Sequence, residues 1–266
     1  MRDILRLLMM TACSAFLGMA LPAEAGTNVR TGAGVYVYCD SSISLDINGN
    51  LQSCILASNT NIITGRGTYL YVKAGTLAAL YTSGDLQQGT LVSSTNILTA
   101  RGTYLYMQWG TVVALDPLGY LQQGTLVSST NIPTAQGTYL YMKGGTSVSL
   151  YTTGYLQQGT LVSSTNVITG KGVYLYLLGS TTVSVDSFGN LDTGTLASNT
   201  NIITGRGTYT YCASLQPTSL FASVGTLFSC VLATSQNVPT SSGTNIYCTA
   251  GKRLTLTSSG YYMSCL

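Results

Sequence analysis

Residues Gly102 to Gln136 read GTYLYMQWGTVVALDPLGYLQQGTLVSSTNIPTAQ, and close variants of this unit recur along the chain. Seven copies of about 35 residues follow one another, so we expect the fold to be a repeat array. A turn glycine, an asparagine with a threonine three residues after it, and the second tyrosine of G-x-Y-x-Y keep their positions in the copies. The asparagines are Asn28, Asn61, Asn96, Asn131, Asn166, Asn201 and Asn237. The tyrosines are Tyr38, Tyr71, Tyr106, Tyr141, Tyr176, Tyr211 and Tyr247.

Each copy predicts β-strands and turns. Tyr104 to Met107 alternates aromatic with aliphatic side chains, which is typical of a strand. Val112 to Leu115 and Leu121 to Val127 predict two more strands, and Ile132 to Ala135 a short fourth one. Between them, Ser128 to Asn131 is interpreted as a polar corner. No stretch has apolar residues at helical spacing over about ten positions, so residues 26 to 266 should be almost wholly β.

The two ends of the array suggest how it closes. Gly26 to Gly32 matches the second half of a copy, and Tyr261 to Leu266 matches the first half, so together they complete one unit. A circular β-propeller closes its last blade in this way.

Three turn segments carry a family resemblance. Ser44 to Leu51 (SLDINGNL), Ala114 to Leu121 (ALDPLGYL) and Ser184 to Leu191 (SVDSFGNL) resemble the L-D-x-x-G-x-L hairpins of β-propeller repeats of the quinoprotein and NHL types. The chain departs from the quinoprotein repeat, which places tryptophan where glutamine stands here, at Gln87, Gln122 and Gln157. The resemblance implies no cofactor and no catalytic residue. We favour an all-β closed seven-bladed propeller, with a β-solenoid or other stacked β array as the alternative.

The first 25 residues predict a secretory signal peptide. They combine basic Arg2 and Arg6, an apolar stretch from Leu7 to Leu21, and a small-x-small site at Ala23 to Ala25. Lipidation at Cys13 is the alternative for this segment. Residues 26 to 266 are expected to form a single seven-repeat domain without a transmembrane segment.

The repeats also predict how the six cysteines after the leader pair. One cysteine follows the second tyrosine, the other lies three residues after the position of Leu51, and the two occur together in a copy. The other four copies have a large apolar residue at the first position and glycine at the second. These two residues fill about the space of a disulfide, as close packing requires of touching positions. The expected bridges are Cys39 with Cys54, Cys212 with Cys230, and Cys248 with Cys265.

The composition argues against several functional classes. The chain has no histidine, and its only glutamate is Glu24. It therefore has few side chains that could act as a general acid or base, or that could activate a serine nucleophile. Asp46, Asp116 and Asp186 recur at one position, where we expect them to cap their own turns. No metal site or cofactor is predicted. A net charge of +3 is too small to suggest nucleic-acid binding.

Two ladders of side chains are the candidate binding features. Arg66, Arg101, Lys171 and Arg206, with Gln136 between them, should emerge on one face, where they could hold anionic sugars or phosphates. The alternative is that these charges are only solvated and keep a tyrosine-rich edge from aggregating. For most tyrosines we expect packing in the core, and for the asparagines a structural role in each corner.

We therefore expect an exported, non-catalytic repeat protein. It would be secreted, periplasmic or on the surface of a bacterial envelope, and would bind carbohydrate or a surface protein in the manner of a lectin or adhesin. The alternatives are a structural subunit of an extracellular fibre or surface layer, and an enzyme or inhibitor on a propeller frame.

Overall fold

The computed structural model describes residues 26 to 266, so the predicted signal peptide lies outside the described residues. These residues form 27 β-strands and no helix. The strands are β1 (Thr27–Arg30), β2 (Tyr36–Leu45), β3 (Leu51–Leu56), β4 (Thr60–Ile63), β5 (Tyr69–Val72), β6 (Leu77–Leu80), β7 (Leu86–Thr90), β8 (Thr95–Leu98), β9 (Tyr104–Met107), β10 (Val112–Leu115), β11 (Leu121–Thr125), β12 (Thr130–Pro133), β13 (Tyr139–Met142), β14 (Ser147–Leu150), β15 (Leu156–Thr160), β16 (Thr165–Ile168), β17 (Tyr174–Leu177), β18 (Thr182–Val185), β19 (Leu191–Thr195), β20 (Thr200–Ile203), β21 (Tyr209–Cys212), β22 (Pro217–Phe221), β23 (Thr226–Val231), β24 (Gln236–Pro239), β25 (Asn245–Cys248), β26 (Arg253–Leu256) and β27 (Tyr262–Cys265).

Fifteen of the strands form one open sheet, which we call the long sheet. Its order is β1-β2-β3-β6-β7-β10-β11-β14-β15-β18-β19-β22-β23-β26-β27. Every hairpin in it pairs edge to edge with the next, as β7 does with β10, and β1 and β27 lie at opposite ends. The expectation of a closed seven-bladed propeller is therefore wrong, because successive hairpins share one sheet and the two ends do not meet. The stacked β array stated as the alternative fits, and a propeller frame for an enzyme or inhibitor is excluded.

The other strands form a second layer of six separate hairpins, which we call the hairpin layer. They are β4-β5, β8-β9, β12-β13, β16-β17, β20-β21 and β24-β25. In the first copy β2 is long enough to serve both layers, because its first half pairs with β1 and its second half with β3.

The first five hairpins of this second layer are each fixed at the base and at the tip. At the base of β4-β5, Val72 bridges to Leu91, and the Lys73 N–H donates to the Thr90 carbonyl at 2.8 Å. At the tip, a Cβ on Gly119 would lie 2.8 Å from the Arg66 backbone nitrogen, and Gly119 has φ of +80°. Only glycine satisfies both demands. Each of these five hairpins thus lies across two successive hairpins of the long sheet.

The core lies between the two layers. In β5, Leu70 and Val72 are buried, and Ala78 and Leu80 of β6 in the long sheet are buried as well. The repeated threonine closes the tip of each hairpin, since the Thr64 N–H donates to the carbonyl of its partner across the turn.

The sequence-based prediction of strands is correct for most of the unit. The second predicted strand matches β10 at both ends, and β11 begins at Leu121 as expected. The fourth strand is misplaced by two residues, since β12 is Thr130–Pro133 and includes Asn131, which we had assigned to a corner. The reason is that β12 pairs with β13 through Thr130, so the ladder extends into the polar segment.

The three predicted disulfides are present, and they join the two layers across the core. The structure links Cys39 to Cys54, Cys212 to Cys230, and Cys248 to Cys265. In the other copies, apolar side chains lie over glycine: Val72 over Gly89, Met107 over Gly124, Met142 over Gly159 and Leu177 over Gly194. A Cβ on Gly159 would lie 2.5 Å from the Met142 sulfur, so this glycine is required by packing. The bridges indicate an oxidising environment.

Candidate ligand-binding face

Most of the repeated tyrosines lie on the outer surface of the hairpin layer. In β5 the side chains of Tyr69 and Tyr71 are 64% and 42% exposed, whereas Leu70 between them is buried. The other exposed tyrosines are Tyr36, Tyr38, Tyr104, Tyr106, Tyr139, Tyr141, Tyr174, Tyr176, Tyr209 and Tyr247. The expectation that most tyrosines pack in the core is therefore wrong. The aliphatic residues between them occupy the core, and strand alternation turns the tyrosines outward.

The strand register places these tyrosines in two rows. In each hairpin the second tyrosine lies directly opposite the repeated asparagine, as Tyr71 lies opposite Asn61. The asparagines are also exposed. We call this alternation the Asn–Tyr row; its pairs are Asn28 with Tyr38, Asn61 with Tyr71, Asn96 with Tyr106, Asn131 with Tyr141, Asn166 with Tyr176, Asn201 with Tyr211, and Asn237 with Tyr247.

The second row lies nearer the hairpin tips and pairs the first tyrosine with an apolar residue in the central copies. We call it the apolar–Tyr row; its central pairs are Ile63 with Tyr69, Leu98 with Tyr104, Pro133 with Tyr139, Ile168 with Tyr174, and Ile203 with Tyr209. The two rows together form what we call the Asn–Tyr face. In these five copies it carries amide, aromatic and aliphatic groups, and tyrosine is its only ionisable residue.

In six copies the corner is held by a residue two positions before the repeated asparagine. The Asn59 side-chain oxygen accepts a hydrogen bond from the Ala74 N–H at 2.7 Å, and Ser94 accepts one from the Trp109 N–H at 3.0 Å. The structural role that we assigned to the repeated asparagines thus belongs to their neighbours. The asparagines lie inside strands, and their exposed amides are available to a ligand.

Shallow clefts separate consecutive hairpins on this face. The cleft between β4-β5 and β8-β9 has a volume of about 200 Å³ and lies between Tyr69 on one side and Asn96 on the other. Similar clefts of about 230 Å³ and about 150 Å³ follow β16-β17 and β20-β21. They exist because neighbouring hairpins of this layer do not share a sheet. Each cleft therefore combines an aromatic ring with an amide group.

The predicted basic ladder lies along the hairpin tips, where its side chains are exposed. The Arg66 guanidinium carbon lies 4.7 Å from the centre of the Tyr120 ring, and Arg101 and Arg206 make the same contact with Tyr155 and Tyr261. Such cation–π contacts are worth about 0.5–1 kcal/mol at exposed sites. These three arginines thus join the tip of one hairpin to a turn of the long sheet.

The two other members of the ladder differ. Gln136 donates from Nε2 to the Asn190 side-chain oxygen at 2.8 Å, which replaces the arginine–tyrosine contact by an amide pair. Lys171 lies beside the turn at Gly225. That Arg66, Arg101, Lys171 and Arg206 bind an anionic ligand stays a prediction.

The three repeated aspartates lie in turns of the long sheet, where they accept hydrogen bonds from their own backbone, as expected. Asp116 accepts from the N–H groups of Leu118 and Tyr120 at 3.0 and 2.8 Å. In the first copy the Asn50 N–H donates to Asp46, and this bond is the main cause that lowers the pKa of that carboxyl group. Burial opposes the lowering, and further hydrogen bonds in the turn add to it. These bonds occupy the carboxylates in shaping their turns.

Tyrosine replaces aspartate at this position in alternate copies and links one copy to the next. The Tyr81 hydroxyl donates to the Leu115 carbonyl at 2.8 Å, and Tyr151 donates to Val185 in the same way. Burial raises the pKa of both phenols, and the negative charge of Asp116 near Tyr81 adds to the rise.

In residues 26 to 266 no three acidic, cysteine or histidine side chains come together as a metal site would require. The same residues contain no helix with the length and apolar character needed to cross a membrane. Fold and surface together define an open, two-layered β-hairpin array with a periodic Asn–Tyr face. No protein-family model matches the chain, and no curated protein matches its sequence.

Proposed function

We propose that this chain is a non-catalytic binding protein that presents its Asn–Tyr face to a carbohydrate or protein partner. It acts outside the cytoplasm, as a secreted, periplasmic or cell-surface protein. The observation that carries the proposal is the exposure, on one face, of tyrosines and asparagines repeated in register over seven copies.

The chemistry of the face supports this function. Aromatic side chains have a large apolar surface with a polar end, so they are favoured where a partner is recognised. Keeping a dozen of them in water serves no packing purpose, since the core is filled by the aliphatic residues between them. Equivalent sites along one array also raise avidity without requiring strong single contacts.

The test is the binding of the oxidised protein to immobilised glycans and to intact bacterial cells. Three tyrosines of the Asn–Tyr row are replaced together in the variant Tyr106→Ala, Tyr141→Ala and Tyr176→Ala. A matched control replaces three exposed residues on the outer surface of the long sheet, Gln88→Ala, Gln123→Ala and Gln158→Ala. We expect the tyrosine variant to lose about tenfold or more in affinity, and the control to bind as the unmodified chain does.

Two outcomes would contradict the proposal. One is equal binding by the tyrosine variant and the unmodified protein. The other is that the unmodified protein is retained by none of these surfaces. A further variant, Arg66→Gln with Arg101→Gln and Arg206→Gln, examines the basic ladder separately. Loss of binding to acidic glycans alone would assign the arginines a role in anion recognition.

A second candidate function is a structural subunit that joins end to end into a fibre or surface layer. The observation that favours it is the exposure of apolar side chains at the first edge of the array. Ile43 and Leu45 in β2 are 42% and 49% exposed, whereas Ala78 and Leu80, at the equivalent positions of β6, are buried. An apolar strand edge of this kind can pair with another copy.

Molar mass measured by light scattering over a range of concentrations tests this second function. Growth into large assemblies that the variant Leu45→Lys abolishes would support it. A monomer at all concentrations would exclude it and leave the binding function unaffected.

A further inference from the structure

We infer that the ligand of the Asn–Tyr face is an uncharged, extended β-1,4-linked polysaccharide that lies along the array, across the strands. This inference rests on the proposed function and names its substrate class. It is carried by the pitch of the array, by the alternation of groups along it, and by the absence of charge from the central copies of the face.

The pitch follows from the strand order. Each copy adds two neighbouring strands to the long sheet, as β10 and β11 follow β7. Neighbouring strands lie about 4.8 Å apart, so each copy advances the array by about 10 Å. The hairpin layer keeps the same pitch because its first five hairpins are each bonded to the long sheet at the base, as the Val72 to Leu91 bridge shows. Equivalent tyrosines therefore recur at about 10 Å.

This distance is close to the length of one disaccharide in an extended β-1,4-linked chain. Alternate sugars of such a chain turn the same ring face in the same direction, so one aromatic ring per disaccharide can stack throughout. An α-1,4-linked chain coils and loses this repeat after a few sugars. The regular recurrence of equivalent tyrosines, among them Tyr71, Tyr106, Tyr141 and Tyr176, thus favours the extended polymer.

The groups between the tyrosines match the same ligand. Across a hairpin, Asn96 lies opposite Tyr106, about 5 Å away, which is half the pitch of the array. A ring that stacks on the face of one sugar is thus followed by an amide that can donate to and accept from hydroxyl groups of the next. The cleft beside Asn96, about 200 Å³ in volume, gives a protruding substituent room on this path.

The two rows themselves carry no charged side chain in the five central copies. The basic side chains lie at the hairpin tips, where Arg66 and Lys171 line the ends of the clefts. A neutral polymer on the rows needs no charged partner, whereas an acidic polymer would bury unpaired charges there at a large desolvation cost.

The experiment compares glycans that differ in linkage and length. The oxidised full chain is titrated calorimetrically with neutral β-1,4-linked oligosaccharides of two to eight sugars, and its retention on cellulose and chitin is compared with that on starch and on a β-1,3-glucan. We expect retention on the β-1,4-linked polymers only. We also expect affinity to rise about tenfold or more between two and eight sugars, with the larger gains at each added disaccharide.

Variants assign the binding to the Asn–Tyr row. Tyr106→Ala with Tyr141→Ala should weaken binding of the eight-sugar chain about tenfold or more, and Asn96→Ala with Asn131→Ala less than that. The control is Gln123→Ala with Gln158→Ala on the opposite surface. Because all these side chains are exposed, thermal unfolding of every variant should match the unmodified protein. If a tyrosine-to-alanine variant unfolds early, tyrosine-to-serine variants at the same positions repeat the measurement.

The outcomes separate this inference from the proposed function. Equal affinity for α-linked or β-1,3-linked glycans, or affinity that does not grow with length, would overturn the inference while the binding function stands. So would a requirement for these tyrosines in binding to cells without any binding to β-1,4-linked glycans. If neither cells nor glycans are bound, both are wrong.

Discussion

In the first copy a disulfide between Cys39 and Cys54 joins the two layers, whereas in the third copy Met107 lies over Gly124 at the equivalent positions. The bridged copies are the first and the last two, and the four between them use an apolar side chain over glycine. The first and last copies, which have a neighbour on one side only, and the sixth copy next to the end are fastened covalently. In the four copies between them an apolar side chain over glycine fills the same space, so this position is stabilised in two different ways.

The largest effect is expected from a cavity in one of the middle copies, where an apolar side chain packs over glycine. Met142→Ala removes most of a fully buried side chain above Gly159 and leaves a cavity. The free energy of unfolding should fall by about 4 kcal/mol, measured by urea denaturation. Adding Gly159→Val should recover part of the loss, because the new side chain fills the same space. A loss below about 1 kcal/mol would show that the site collapses without cost.

Removing a disulfide bond from one of the bridged copies should have the next largest effect. Replacing Cys212 and Cys230 by alanine opens a loop with a sequence separation of 18 residues and should cost about 3 kcal/mol of unfolding free energy. The same double substitution at Cys248 and Cys265 is the comparison, because that bridge lies in the terminal copy. Hydrogen exchange should show its effect confined to β24 to β27, and protection lost throughout the array would contradict this.

Replacing an apolar side chain and its glycine by a disulfide bond should have a smaller effect. Met107→Cys with Gly124→Cys places two cysteines where the end copies have a bridge. Mass spectrometry should show no free thiol at these positions in the oxidised protein. The unfolding free energy should change by less than about 1.5 kcal/mol, since the total volume is nearly kept. Two free thiols would mean that the middle and end copies differ in backbone spacing.

The smallest effect concerns a bond that two of the four middle copies have and the bridged copies lack. The hydroxyls of Tyr81 and Tyr151 donate to the following copy, and their pKa values are raised by burial and nearby aspartates. The stability from these bonds is complete below the ordinary tyrosine pKa of about 10 and is lost as pH rises through the higher pKa of the folded state.

Replacing both tyrosines by phenylalanine should therefore cost about 1 kcal/mol at neutral pH. It should also remove part of the destabilisation seen above about pH 10. Thermal unfolding followed from pH 8 to 11 gives both quantities, with Tyr69→Phe as the exposed control. If the double variant lost as much stability at alkaline pH as the unmodified protein, the groups responsible for that loss would lie elsewhere.

The disulfides and most strands could be predicted from the sequence because seven copies supply an internal comparison. Two positions hold cysteines in some copies and an apolar residue with glycine in the others, and this pattern indicates that the two positions are in contact. The orientation of the tyrosines was also available from the sequence. Cys39 stands one position after Tyr38, in phase with the buried Val37, so the tyrosines had to lie on the opposite side of the strand.

The overall shape could not be predicted in the same way. A closed propeller and this open array can use the same strands and turns within one copy, and they differ in how one copy contacts the next. Here β7 pairs with β10 edge to edge in one sheet, a contact between copies that no single repeat specifies. The halves of a unit at the two chain ends, which suggested closure, belong to strands at opposite edges of the long sheet. The contacts of Arg66 and Arg101 with Tyr120 and Tyr155 join residues 54 positions apart, and for that reason the ladder was interpreted without its aromatic partners.

The tip contacts have a consequence for how this protein can change in length. Each hairpin reaches across to the next hairpin of the long sheet, and the contacting pairs, such as Gly65 with Gly119, recur at the same separation through the central copies. Removing or duplicating one whole copy there would recreate these backbone contacts at the new junction. The array can therefore lengthen or shorten in evolution by one whole copy at a time, through recombination between its near-identical repeats.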